Sequence, residues 1–128
     1  MRIVLDPGSR APASAQLRDA IARRIRSGVL APGERLPPVR VLAGELGLAP
    51  NTVARAYREL EAAGLLEGRG RYGTFVVERL RVPADERETR LARAAEAFAR
   101  RARQLGASRA EALEAVRRAL ASRSPSVR

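Results

Sequence analysis

The sequence predicts a mainly α-helical chain with a small β-wing: a winged helix-turn-helix followed by two further helices. Three observations carry this. Apolar residues recur at helical spacing on both sides of a short break between Gly47 and Pro50. A glycine-rich segment flanked by two apolar runs comes next, which is the pattern of a hairpin. Beyond Pro83 the apolar residues return to a long helical seam.

Taken in order, Ile3, Val4 and Leu5 form a brief apolar patch closed by the turn signature Asp6-Pro7-Gly8-Ser9. It suits either an edge strand or an arm packed on a partner subunit, and the residues leave both open. From about Ser14 to Ser27, Leu17, Ala20, Ile21 and Ile25 share one helical face, with Arg18, Arg23, Arg24 and Arg26 on the others. Gly28 ends this helix. Its arginines suit solvent or flanking phosphates, because the early helices of such folds cross the nucleic-acid backbone rather than enter a groove. Pro32-Gly33 then makes a turn before a very short strand, and Leu36 returns the chain to the core.

Val39, Leu42, Ala43 and Leu46 define the next helix, and Val53, Ala56, Tyr57 and Leu60 the one after it. Gly47 can take the left-handed conformation that ends the first, and Pro50 fits the opening turn of the second, where its missing N–H has no helical partner to lose. The apolar stripe leaves Asn51, Thr52, Arg55, Arg58 and Glu59 to other faces. Asn51 and Thr52 occupy the first turn, the end that a helix-turn-helix directs at base edges. Leu65 and Leu66 begin a wing strand and Thr74 to Val77 the return strand, joined by the hairpin sequence EGRGRYG. As a nucleotide-binding loop GRG fails, since no helix follows it and no Gly-Lys-Ser/Thr is present.

Asp85 and Glu86 after Pro83 mark a helix start, where the dipole favours acids. Leu91, Ala94, Ala95, Phe98, Ala102 and Leu105 then make an apolar seam. Gly106-Ala107-Ser108 breaks it, and Ser108 with Glu111 reads as a capping box for a last helix carrying Leu113, Val116 and Leu120. Two helices cannot enclose a core alone, so a second copy of the chain is the expected cover for this seam.

Composition narrows the function. The chain has 128 residues and a formal charge of +11, and every basic residue is arginine. Arginine suits bidentate contacts to phosphate and guanine, so the field favours polyanions. Position must decide, however, because residues 1–79 carry 13 arginines against 8 acids and residues 80–128 carry 12 against 6. Without cysteine or histidine there is no disulfide, no thiolate or imidazole metal site and no nucleophile–histidine triad. No apolar run approaches a membrane span, so a cytoplasmic protein without cofactor, metal or catalytic set is expected.

LPPVRVLAGELG, followed by NTVARAYRELEAAGLL and GRGRYGTFVV, resembles the DNA-binding domain of the GntR family of bacterial transcription regulators, and the YtrA-like subfamily in particular. The likeness covers roughly Ser14 to Val77. It implies a winged helix-turn-helix over residues 1–79 and a two-helix dimerisation region over 80–122; the last residues, 123–128, are expected to form a disordered tail. It also implies that Arg40, which matches an arginine of the family motif, contacts DNA. An arginine forked onto guanine contributes about 1–3 kcal/mol of discrimination, against about 0–1 for the alternative, a surface ion pair with Glu45 or Glu34.

The expected DNA-contacting set is therefore Arg40, Asn51, Thr52, Arg55, Arg58, Arg69 and Arg71. Asn51 suits adenine and Thr52 a phosphate or thymine methyl, with helix capping as their alternative. Arg55 is expected at bases, Arg58 at phosphate, and Arg69 and Arg71 at a minor groove. Tyr57 belongs to the core stripe, with a hydroxyl still within possible reach of phosphate. The expected dimer seam is Leu91, Ala95, Phe98, Ala102, Leu105, Leu113, Val116 and Leu120.

Two departures from the family pattern stand out: Pro38 and Val41 replace a Ser/Glu capping box, and Ala49 replaces a serine-type cap. The expected function is a dimeric, sequence-specific repressor on double-stranded DNA with an inverted-repeat operator, and at most a weak small-molecule effector site at the dimer interface. The alternatives are a basic helical adaptor or a sequence-tolerant, nucleoid-like DNA binder.

Overall fold

The structure, a computed structural model, describes residues 1–122; the tail expected at 123–128 lies outside them. Five helices and a two-stranded antiparallel sheet follow in the order α1 (Ala13–Ser27), α2 (Val39–Leu46), α3 (Pro50–Ala62), β1 (Leu66–Gly68), β2 (Thr74–Val76), α4 (Ala84–Gln104) and α5 (Arg109–Ala121). They form two compact units, one spanning Met1–Leu80 and one beginning at Arg81.

In the first unit the apolar stripes of the three helices meet. Leu17, Ile21, Leu42, Val53, Ala56 and Leu60 are all buried. Gly47 takes φ 67°, ending α2 with its N–H on the Ala43 carbonyl. A side chain at that φ would be strained, so the tight turn into α3 depends on glycine. Pro50 is the first residue of α3, and Ala49 before it supplies no side-chain cap.

Leu66 pairs with Val76, Glu67 with Phe75 and Gly68 with Thr74. The expected short strand near Leu36 is a bridge from Arg35 to Phe75, flanked by Leu36 N–H to Thr74 O at 2.8 Å and Val76 N–H to Glu34 O at 2.8 Å. It extends the sheet by one residue. A single turn of 3-10 helix, Gly70–Tyr72, forms the wing tip.

The N-terminal segment is neither a strand nor free. Ile3 is buried with the helical core, and Met1 and Leu5 pack against it. Gln16 of α1 accepts the Asp6 N–H at 2.8 Å and donates to the Asp6 and Ala11 carbonyls at 3.0 and 2.9 Å. Arg24 donates to the Arg2 carbonyl at 2.6 Å. One α1 face thus fastens the segment to its own domain.

In the second unit α4 opens with Asp85 and Glu86 in its first turn. The capping box of α5 forms as expected: the Glu111 N–H donates to Ser108 Oγ at 3.1 Å, and the Ser108 N–H donates to Glu111 Oε1 at 2.8 Å. These hydrogen bonds, the backbone one first, hold the Glu111 carboxyl below its usual range.

Candidate nucleic-acid interface

The buried stripe of α3, Val53, Ala56, Tyr57 and Leu60, decides which of its residues face outward. Asn51, Arg55 and Arg58 are exposed and Thr52 is half-buried. Among the described residues neither Asn51 nor Thr52 spends its side chain on a hydrogen bond, and no side chain caps α3. The capping alternative is thus not used: Pro50 has no N–H and the Thr52 and Val53 N–H groups donate to the Ala49 carbonyl, so the first turn keeps the Asn51 N–H and two polar side chains available. Such a helix end attracts anionic groups.

Arg40 is exposed in the first turn of α2. Its expected acidic alternatives are occupied elsewhere. Glu45 Oε1 lies 3.7 Å from the N-terminal ammonium, and Glu34 Oε1 accepts the Ala31 N–H at 3.0 Å. Arg58 likewise has no ion pair among the described residues, whereas Arg55 does: its Nε lies 3.3 Å from Glu59 Oε2, with the Arg55 side chain still 65% exposed. Glu59 Oε1 also accepts from Arg18 at 3.0 Å. The helical spacing of Arg55 and Glu59 is legible in the sequence, while the reach of Arg18 from α1 is not.

Tyr57 is where the core and the interface meet. Its ring is buried and its hydroxyl donates to the Pro37 carbonyl at 2.7 Å, which ties α3 to the entry of α2. Burial, and then the nearby Glu45 charge, push the phenol above its ordinary value. The hydroxyl is therefore a clamp between the two helices rather than a phosphate ligand.

At the wing the two arginines differ. Arg69 is half-buried, stacked 4.4 Å over the Phe75 ring with its Nε 2.8 Å from Glu67. Arg71 is exposed at the tip, over the Tyr72 ring at 5.1 Å and donating to the Tyr72 hydroxyl at 3.1 Å. Arg35, outside the expected DNA-contacting set, lies against Gly73 at the base of the tip. Gly73 has φ 107°, which favours glycine, and a Cβ there would stand 2.8 Å from Arg35 Nε, so any other residue would also push this exposed side chain aside.

The second unit gathers its apolar residues along an open groove of about 840 Å³. Leu91, Ala95, Phe98, Ala102, Leu113, Val116 and Leu120 line it, together with Ala99 and Ala112, which were not anticipated. Leu105 stands outside the groove lining. It falls just beyond α4 as its C-cap, where the chain turns towards Gly106, and helical periodicity no longer applies.

Residues 13–76 match the bacterial regulatory proteins of the gntR family. The chain belongs to that family. The HTH-type transcriptional regulator Rv1152 of Mycobacterium tuberculosis is 48% identical over 98 residues, 77% of each chain. The HTH-type transcriptional repressor YtrA of Bacillus subtilis is 42% identical over 77 residues, 59% of this chain and 58% of its own. The AraR DNA-binding domain, solved in complex with operator ORX1, shares a TM-score of 0.52 at 28% identity, covering 59% of this chain and 93% of that one.

Residues 13–76 are accordingly a GntR-family winged helix-turn-helix, and the chain is a DNA-binding transcription regulator. No helix among the described residues is long and apolar enough to cross a membrane.

Proposed function

We propose that this GntR-family regulator is a dimeric repressor that lays the amino end of α3 into the major groove at each half of an inverted-repeat operator. The observation that carries this is the first turn of α3, where Asn51 and Thr52 have side chains free of hydrogen bonds among the described residues while the opposite face is locked into the core. In this reading Arg40 and Arg55 reach bases, Asn51 reads adenine and Thr52 and Arg58 hold phosphate. Arg71, and Arg69 once released from Glu67, follow the wing into the minor groove. Repression is supported by the likeness to the YtrA repressor.

Dimerisation rests on the second unit. Leu91, Phe98, Leu113 and Leu120 are 63%, 41%, 55% and 82% exposed. Apolar area of that kind on a small helical pair is costly in water, and an identical copy covers it with two-fold symmetry. That symmetry places the half-sites about one helical turn apart, roughly 34–36 Å. A weak small-molecule effector at the dimer interface would occupy this groove, where a partner's side chains compete for it. The division of the chain follows: residues 1–79 read DNA and 80–122 pair the subunits.

A gel-shift titration against random competitor DNA tests the proposal. A repressor of this kind retains a preference of about 10³ or more for its selected site. Complete loss of complex to competitor would instead identify a sequence-tolerant binder. Arg58→Ala weakens every duplex alike and lowers the salt slope by about one phosphate equivalent.

A further inference from the structure

The recognition helix carries an acid to which the proposed DNA contacts give no task. Glu59 lies one turn beyond Arg55, on a helix meant to approach a polyanion, where a carboxylate opposes binding. Its two oxygens are divided between two guanidiniums. Oε2 accepts from Arg55 Nε at 3.3 Å, and Oε1 accepts from Arg18 Nη1 at 3.0 Å. Arg18 belongs to α1, and its own Nε is held by Asp19 at 3.0 Å.

This arrangement has a direction. A contact through Nε restrains the long arginine side chain and leaves both terminal nitrogens of the fork unused by Glu59. Those two parallel donors are the pair that matches guanine O6 and N7. The second contact, to Arg18, keeps the carboxylate from swinging with its own side chain, because it ties Glu59 to a different helix.

We propose that Glu59 is a positioning residue for specificity: it presets the Arg55 fork for base recognition, and Arg18 anchors it to α1, so site preference depends on two side chains that touch no base. The inference rests on Arg55 as a base reader. Without Glu59, Arg55 spreads over rotamers that reach phosphate, and one negative charge leaves the interface. Specific binding then weakens while nonspecific binding holds or strengthens. A purely structural role predicts a different outcome, with both kinds of binding falling together.

The test uses the full chain, a duplex selected by the wild-type protein from a random pool, and a scrambled duplex of equal length. Arg55→Ala lowers the ratio of the two affinities by about tenfold or more. Glu59→Gln lowers it by about two- to fivefold, binds the scrambled duplex at least as tightly as wild type, and adds nothing in the Arg55→Ala background. Arg18→Gln lowers the ratio as well, by less.

If Glu59→Gln keeps the wild-type ratio while Arg55→Ala loses it, the positioning role is wrong and the Arg55 assignment stands. If Arg55→Ala itself keeps the ratio, the assignment fails and the positioning role falls with it. Equal weakening on both duplexes by Glu59→Gln, or the same loss of ratio with and without Arg55, overturns the proposal in favour of a structural role. An unchanged ratio in Arg18→Gln removes α1 from the relay.

Discussion

Leu17, Ile21, Leu42 and Val53 of the first unit expose nothing to solvent, whereas Leu91, Leu105 and Leu120 of the second are 63%, 71% and 82% exposed. Both units are helical and rich in arginine, and both show clean apolar periodicity in the sequence. They differ in closure. Three helices and a hairpin surround a core, while two helices offer a face each and leave the groove between them open. Helical periodicity reports that a face must be buried; the number of elements in the unit decides whether the chain can bury it alone.

Substitutions on the two sides of this divide should therefore behave differently. Leu17→Ala removes a fully buried side chain and costs about 2–5 kcal/mol, seen as a fall in melting temperature that does not depend on protein concentration. Phe98→Glu places a charge in the seam. It weakens self-association by at least about a hundredfold, as an unpaired charge in a closed interface requires, while the first unit keeps its melting behaviour. Equal loss of first-unit stability in both variants would erase the distinction between the units.

Smaller effects sharpen the picture inside the first unit. Tyr57→Phe removes the clamp on Pro37 and costs about 1 kcal/mol. The folded phenol titrates above its unfolded value, so its contribution is fully present below about pH 10 and is lost as pH rises beyond the unfolded tyrosine range. Alkaline destabilisation in urea titrations should therefore be reduced in the Phe variant. Ala49→Ser supplies the missing cap of α3 and raises stability by about 0.5–1 kcal/mol. A melting temperature that stays level or drops would remove Ala49 from the cap position.

How much of this was legible follows the range of the interactions. The helix bounds, the Gly47 turn and the Ser108–Glu111 capping box depend on residues a few positions apart, and the pattern displays them. The docking of the N-terminal segment was not legible, because Gln16 and Arg24 reach back to it from α1 and either residue alone reads as an ordinary solvated side chain. The same holds at the interface. Arg55 and Glu59 are an evident helical pair, but the Arg18 contact joins residues 41 positions apart, and only the packing of α1 on α3 creates it. Spacing puts Tyr57 in the core, while the acceptor of its hydroxyl, the Pro37 carbonyl, lies 20 positions away and is set by the packing of α3. Leu105 fits the heptad-like seam on paper and leaves the groove lining because α4 has already ended.

The account stands on the second unit being completed by another copy of itself, since two recognition helices are what an inverted repeat requires. Sedimentation equilibrium of the purified full chain at micromolar concentration measures this directly. The account predicts twice the chain mass, falling to a single chain mass for Phe98→Glu. A wild-type protein that sediments as one chain at that concentration contradicts it.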